Sequence, residues 1–133
     1  MLALLALAAC SRAYRFDARI VDGAVVFVPS VKHSNCLWRF EMVDELGQLV
    51  WAAAREVPAD PAVEAPIHCD NSAPIRFGTA PQGMSVTLPA RPLQPGMTYE
   101  ISGFGGGQFW GRFRYTGPPT PRVENLKRKP LGS

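Results

Sequence analysis

The residues with the greatest chemical capacity in this chain are three cysteines and two histidines: Cys10, His33, Cys36, His68 and Cys69. His33-Ser34-Asn35-Cys36 and His68-Cys69-Asp70 each set an imidazole near a thiol. Brought together, His33, Cys36, His68 and Cys69 would offer two sulfurs and two nitrogens, the donor set of a closed zinc or copper site. Adjacent His68 and Cys69 fit such a site awkwardly, because neighbours in an extended chain point to opposite faces. Asp70 stands where a carboxylate can orient His68, yet both histidines of the chain lie beside cysteines. The sequence holds no Gly-x-Ser-x-Gly, no His-Glu-x-x-His and no phosphate loop. The glycines at 105–107 lack the strand-to-helix setting of a phosphate cradle and read as a hairpin tip. Asp44 and Glu45 fall in a turn, where paired carboxylates are solvated. The expectation is a non-enzymatic protein with no catalytic residues and no cofactor.

Cys10 closes the run MLALLALAAC. Residues 2–9 are far short of the ~20 needed to span a bilayer. They fit the apolar region of a secretion signal with small residues before the cut. Leu7-Ala8-Ala9-Cys10 resembles the lipobox of bacterial lipoproteins. The resemblance implies cleavage before Cys10, a diacylglyceryl group on its sulfur and an acylated amine. No Lys or Arg precedes the apolar run, so the start of the signal is expected upstream of Met1. The competing reading makes residues 1–10 a core strand or a ragged helix. Ser11, in place of Asp, implies by the same resemblance the outer membrane, facing the periplasm. One acyl chain, at ~0.8 kcal/mol per buried CH₂, binds marginally, whereas several on one cysteine hold firmly.

With Cys10 so used, Cys36 and Cys69 form an even pair in an oxidising compartment. A disulfide between them is the leading reading; it would contribute roughly 3.5–4 kcal/mol in the chain-entropy account. A periplasmic metal-handling or redox protein built on His33, Cys36, His68 and Cys69 is the alternative, and free thiols are the third.

The elements that would position these groups are strands. The chain has 133 residues, enough for one domain, with 13 Pro and 12 Gly to interrupt helices. In 14–21, Tyr14, Phe16, Ala18 and Ile20 alternate with Arg15, Asp17 and Arg19, a half-buried strand. Asp22-Gly23 signals a tight hairpin into 24–28. In 36–43, Cys36, Trp38, Phe40 and Met42 share the inward parity. Strand 48–54 places Leu49 and Trp51 in the core. Residues 57–74 carry four prolines and read as a long loop stapled by Cys69. Strands follow at 75–78, at 84–88 with Met84, Val86 and Leu88 inward, and at 97–102 with Met97, Tyr99 and Ile101 inward. The last, 109–115, turns Phe109, Phe113 and Tyr115 in and Trp110, Arg112 and Arg114 out.

Leu93-Gln94-Pro95-Gly96-Met97-Thr98-Tyr99 resembles the Leu-x-Pro-Gly-x-x-Tyr corner of fibronectin type III and related immunoglobulin-like domains. The resemblance implies a hydroxyl of Tyr99 bonded back across the corner, with Leu93 plugging the core. The expected fold is all-β: a small immunoglobulin-like antiparallel sandwich of about seven or eight strands. Residues 1–9 would be signal peptide, 10–12 a lipidated linker, 13–117 the sandwich and 118–133 a disordered Pro-rich basic tail.

Two surfaces remain. Trp110 beside Arg112 and Arg114 suits a sugar ring, an anionic glycan or an acidic partner. Equally, Trp110 covers a neighbouring segment and the arginines pair with Glu41 or Glu100 across the sheet. In the tail, Arg122, Lys127, Arg128 and Lys129 against Glu124 account for the whole net charge of +3. Before Thr120, ten basic groups face ten acidic ones. The pI of about 9.0 thus belongs to the tail, and nucleic acid is not an expected partner. Those cations either lean on anionic lipid or are simply solvated. The expected partners are the membrane, through the anchor, and an envelope protein or glycan.

Overall fold

The computed structural model describes residues 13–30, 37–55, 74–81, 83–105 and 108–128. These form nine strands and no helix. They are β1 (Ala13–Val21), β2 (Ala24–Pro29), β3 (Leu37–Asp44), β4 (Leu49–Arg55), β5 (Ile75–Arg76), β6 (Met84–Leu88), β7 (Thr98–Gly105), β8 (Gln108–Thr116) and β9 (Arg122–Leu126). The fold is all-β. One mixed sheet runs in the order β5-β2-β1-β8-β7-β3-β4-β6, with β9 also on β8.

β1 is the hinge of this sheet. Ala13 to Arg15 pair in parallel with Gln108 to Trp110 of β8, and from Phe16 onward the strand pairs antiparallel with β2. At the β1–β2 turn Asp22 and Gly23 both have positive φ, 51° and 78°. That is the geometry a right-twisted two-residue hairpin demands. The handover at Phe16 curls the sheet, so that Phe27 of β2 lies 5.4 Å from the ring of Phe113 on β8 and 6.1 Å from Trp51 on β4. Phe16, Phe27, Leu37, Phe40, Met42, Trp51, Ile101 and Phe113 fill the space between. Each such side chain contributes about 1.5–3 kcal/mol by leaving water. Trp51 sits at the centre, with Phe40 and Phe77 edge-on at 4.6 and 5.1 Å.

Three inward assignments fail, and register irregularities account for each. Trp38 is 52% exposed, while Leu37 is buried. In the β3–β7 ladder Leu37 faces Gly105 and Arg39 faces Phe104, which leaves Trp38 as an extra residue. Such a bulge resets the alternation by one. The inward parity of Cys36 was read through Trp38 and loses its basis; Cys36 itself lies outside the described residues. Leu49 is 44% exposed and Val50 is buried instead, because Met42 faces Trp51 and Val43 faces Leu49. Val86 is exposed and Leu88 half-buried beside a shift at Ala52 and Ala53 in the β4–β6 ladder.

The disordered tail needs correction too. Residues 122–126 form β9, antiparallel to β8 with Leu126 opposite Arg112 and Arg122 opposite Thr116. By turning to β2, β1 leaves this edge of β8 open, and β9 fills it. The side chain of Asn125 then completes the join. Its Oδ1 accepts the N–H of Ala18 at 2.8 Å and its Nδ2 donates to the Ala18 carbonyl at 3.0 Å. A side-chain amide thus does what a ladder residue would.

Candidate functional site

The corner before β7 fixes the closing strand pair. Gly96 takes φ 82°, open to glycine, and its N–H donates to the Tyr115 carbonyl at 2.7 Å. The hydroxyl of Tyr99 accepts the N–H of Gln94 at 2.7 Å, and half-buried Leu93 packs on the core. Burial raises the pKa of Tyr99 above its usual value; the Gln94 N–H opposes this, and Asp44, Glu45 and Tyr115 add to it. This corner holds β7 and β8 in register, and with them the outer face of the sheet.

On that face β8, β7, β3 and β4 align side chains in rows. Trp110 lies opposite Ser102, which lies opposite Glu41 and then Ala52. Beside it run Gln108, Phe104, Arg39 and Ala54. Phe104 is 49% exposed, and the guanidinium carbon of Arg39 sits 5.0 Å from its ring centroid. Trp38, set outward by its bulge, is adjacent in the chain. Arg39 and Phe104 therefore form an exposed aromatic-cationic pair, with exposed Trp38 next to Arg39 in the chain.

Sequence reasoning singled out Trp110, Arg112 and Arg114 instead. Trp110 is half-buried, with the guanidinium carbon of Arg128 5.7 Å from its ring. Arg112 pairs with Glu100 at 3.6 Å across the sheet, the covered arrangement rather than the open one. Arg114 is exposed, opposite Thr98 and Glu124. The Trp38 patch went unseen because Trp38 was assigned to the core. The exposed pairing of Arg39 with Phe104 carries no local signature in the sequence. No family model, curated protein or solved structure matches this chain.

A second feature lies at the junction of β1 and β9. Arg15, Asp17, Arg19, Asn125, Leu126 and Lys127 line an open groove of about 430 Å³. Arg15 Nε is 2.9 Å from Asp17 Oδ1. Cys10, His33, Cys36, His68 and Cys69 fall outside the described residues, so neither the disulfide nor the four-ligand set has a geometry here. Among the described residues, no three His, Cys, Asp or Glu side chains are grouped as a metal would require.

Proposed function

We propose that this chain is a non-catalytic binding module of the bacterial cell envelope, held at the outer membrane by lipid on Cys10. The observation that carries the binding role is the Trp38-Arg39-Phe104 patch. Large rings left in water together are uncommon unless something covers them. A guanidinium lying over a ring suits the apolar face of a sugar or an acidic protein segment. The immunoglobulin-like corner at Leu93, Pro95, Gly96 and Tyr99 supports the reading, since such folds bind through faces and edges without reactive groups. The anchor rests on Leu7-Ala8-Ala9-Cys10.

Intact mass of protein extracted from membranes tests the anchor. A species beginning at Cys10 and carrying diacylglyceryl and acyl chains is expected, and an unmodified species beginning at Met1 overturns it. Co-sedimentation with insoluble cell-wall glycan and with solubilised envelope proteins tests the patch. Trp38→Ala with Phe104→Ala is expected to weaken capture at least tenfold, as the loss of two buried aromatic anchors would. Unchanged capture removes the patch from the function. Thiol titration addresses the cysteines: no reactive thiol before reduction agrees with a Cys36–Cys69 bridge, whereas two thiols with bound zinc or copper would replace it.

A further inference from the structure

β8 runs parallel to the start of β1, and β9 runs antiparallel to β8. β9 therefore carries the end of the described chain back to the place where β1 begins. The registers fix the meeting point. Arg15 lies opposite Trp110, and Leu126 lies opposite Arg112, two residues along the same edge of β8. Lys127 and Arg128 follow directly. Arg112 donates to the Lys127 carbonyl at 3.4 Å, and Arg128 lies over Trp110. Lys127 lines the groove with Arg15 and Arg19. Lys127 and Arg128, two of the tail's basic residues, are thus gathered at one pole, while Arg122 lies at the other end of β9.

The charge balance there is one-sided. Four cations, Arg15, Arg19, Lys127 and Arg128, face one carboxylate, Asp17, which Arg15 already engages. Glu100 is taken by Arg112, and Glu124 lies opposite Arg114. Among the described residues no carboxylate lies within ion-pair distance of Arg19, Lys127 or Arg128. The same pole holds Ala13, three residues after Cys10. Three residues of chain reach at most about 10 Å. A lipid on Cys10 therefore brings these cations to the headgroup plane.

We infer that the pole where β1 begins and β9 ends is a docking surface for anionic phospholipid headgroups, with Arg19, Lys127 and Arg128 as its phosphate-facing cations. The choice of a membrane lipid rests on the anchor proposed above; the charge and the groove do not. Each cation near an anionic membrane surface raises partitioning about fivefold, and salt weakens the effect.

The test uses the full chain carrying Cys10→Ser, so that no acyl chain masks the headgroup contact. Binding to phosphatidylcholine vesicles with and without phosphatidylglycerol is measured at about 0.1 M salt, where a Debye length of about 10 Å confines the effect to cations near the surface. The chain is expected to prefer the anionic vesicles, and Lys127→Gln with Arg128→Gln to lower that binding about 25-fold. Arg91→Gln with Arg122→Gln removes the same charge away from the pole, since Arg122 faces Thr116 at the far end of β9 and the Arg91 N–H donates to the Val50 carbonyl of β4, and is expected to lower it less than about threefold. Equal losses from the two pairs, or no preference for phosphatidylglycerol, overturn the inference. Inorganic phosphate at matched ionic strength is expected to leave the protein on the vesicles. Release would assign the groove to free phosphate and overturn the lipid assignment. The intact mass of the wild-type protein stands apart: an unlipidated Met1 species sinks the anchor while the vesicle ratios still decide the pole.

Discussion

Asn125 gives the sharpest test of the closing strand. Its side-chain amide makes two hydrogen bonds to the backbone of Ala18, a residue 107 positions earlier and 3% exposed. Replacing it with alanine removes both partners from a nearly buried N–H and carbonyl. Each bond is worth about 0.5–1.5 kcal/mol net, and an unpaired buried group adds a further penalty where water cannot reach. The site is partly buried, so Asn125→Ala is expected to cost about 2 kcal/mol, or roughly 8 °C in Tm for a chain of this size. The assay is urea unfolding, read as a lower midpoint at unchanged slope. Asn125→Asp sharpens the test. Ionised, the carboxylate still accepts the Ala18 N–H but sets an oxygen against the Ala18 carbonyl, so it should destabilise at least as much as alanine. Protonated, it can donate again, and stability relative to Asn125→Ala should recover as pH falls through the usual carboxylate range near ~4. If both variants unfold within about 0.3 kcal/mol of wild type, well below one hydrogen bond, the amide is not joining β1 to β9.

Three further outcomes follow from the packing. At Gly111 a Cβ would stand 2.7 Å from the Phe16 carbonyl oxygen and 3.1 Å from Ile101 Cγ2, so Gly111→Ala should cost about 1–3 kcal/mol in the same unfolding assay. Tyr99→Phe leaves the Gln94 N–H without its partner and should cost about 1–2 kcal/mol at neutral pH. Because burial raises the pKa of Tyr99, its neutral form is favoured in the folded state. That contribution is whole below the unfolded value near ~10 and is lost as pH rises past it. The gap between wild type and Tyr99→Phe should therefore narrow in alkaline titration. Trp51 Nε1 is buried with no hydrogen-bond partner among the described residues. Trp51→Phe removes that orphan along with some ring area, and should cost at most half of the about 3–5 kcal/mol expected for Trp51→Ala.

Alternation found β1 to β8 because most strands bury one face and wet the other. Phe16 and Ala18 against Arg15 and Arg19 leave no choice of register. The reading failed where apolar residues are neighbours. In Leu37-Trp38 and Leu49-Val50-Trp51 either parity offers a hydrophobic side chain to the core. What decides is how many residues the partner strand supplies, and that is not local information. β9 failed for a different reason. Arg-Val-Glu-Asn-Leu has too little apolar content to announce a strand, and it is held by an edge that β1 vacates and by a bond to Ala18. The tail's charge could be counted from the sequence, but its location could not. The Trp38-Arg39-Phe104 patch needed the bulge to be known first.

The handover in β1 ties these observations to one cause. A strand that stayed on β8 along its whole length would cover that edge and leave the sheet open. By crossing to β2 after Arg15, β1 closes Phe27 onto Trp51 and Phe113 but bares the backbone of β8 from Arg112 to Thr116. A bare edge in the middle of a domain invites pairing with another chain. The chain answers with β9, and because β9 must run opposite to β8, its C-terminal end has to arrive where β1 starts. The concentration of Lys127 and Arg128 beside Arg15 is thus a consequence of how the sheet closes. It follows that a substitution which detaches β9, such as Asn125→Ala, would loosen the fold and disperse the cationic pole together. Stability and anionic-surface binding should therefore fall in step at that residue, whereas Lys127→Gln with Arg128→Gln should separate them.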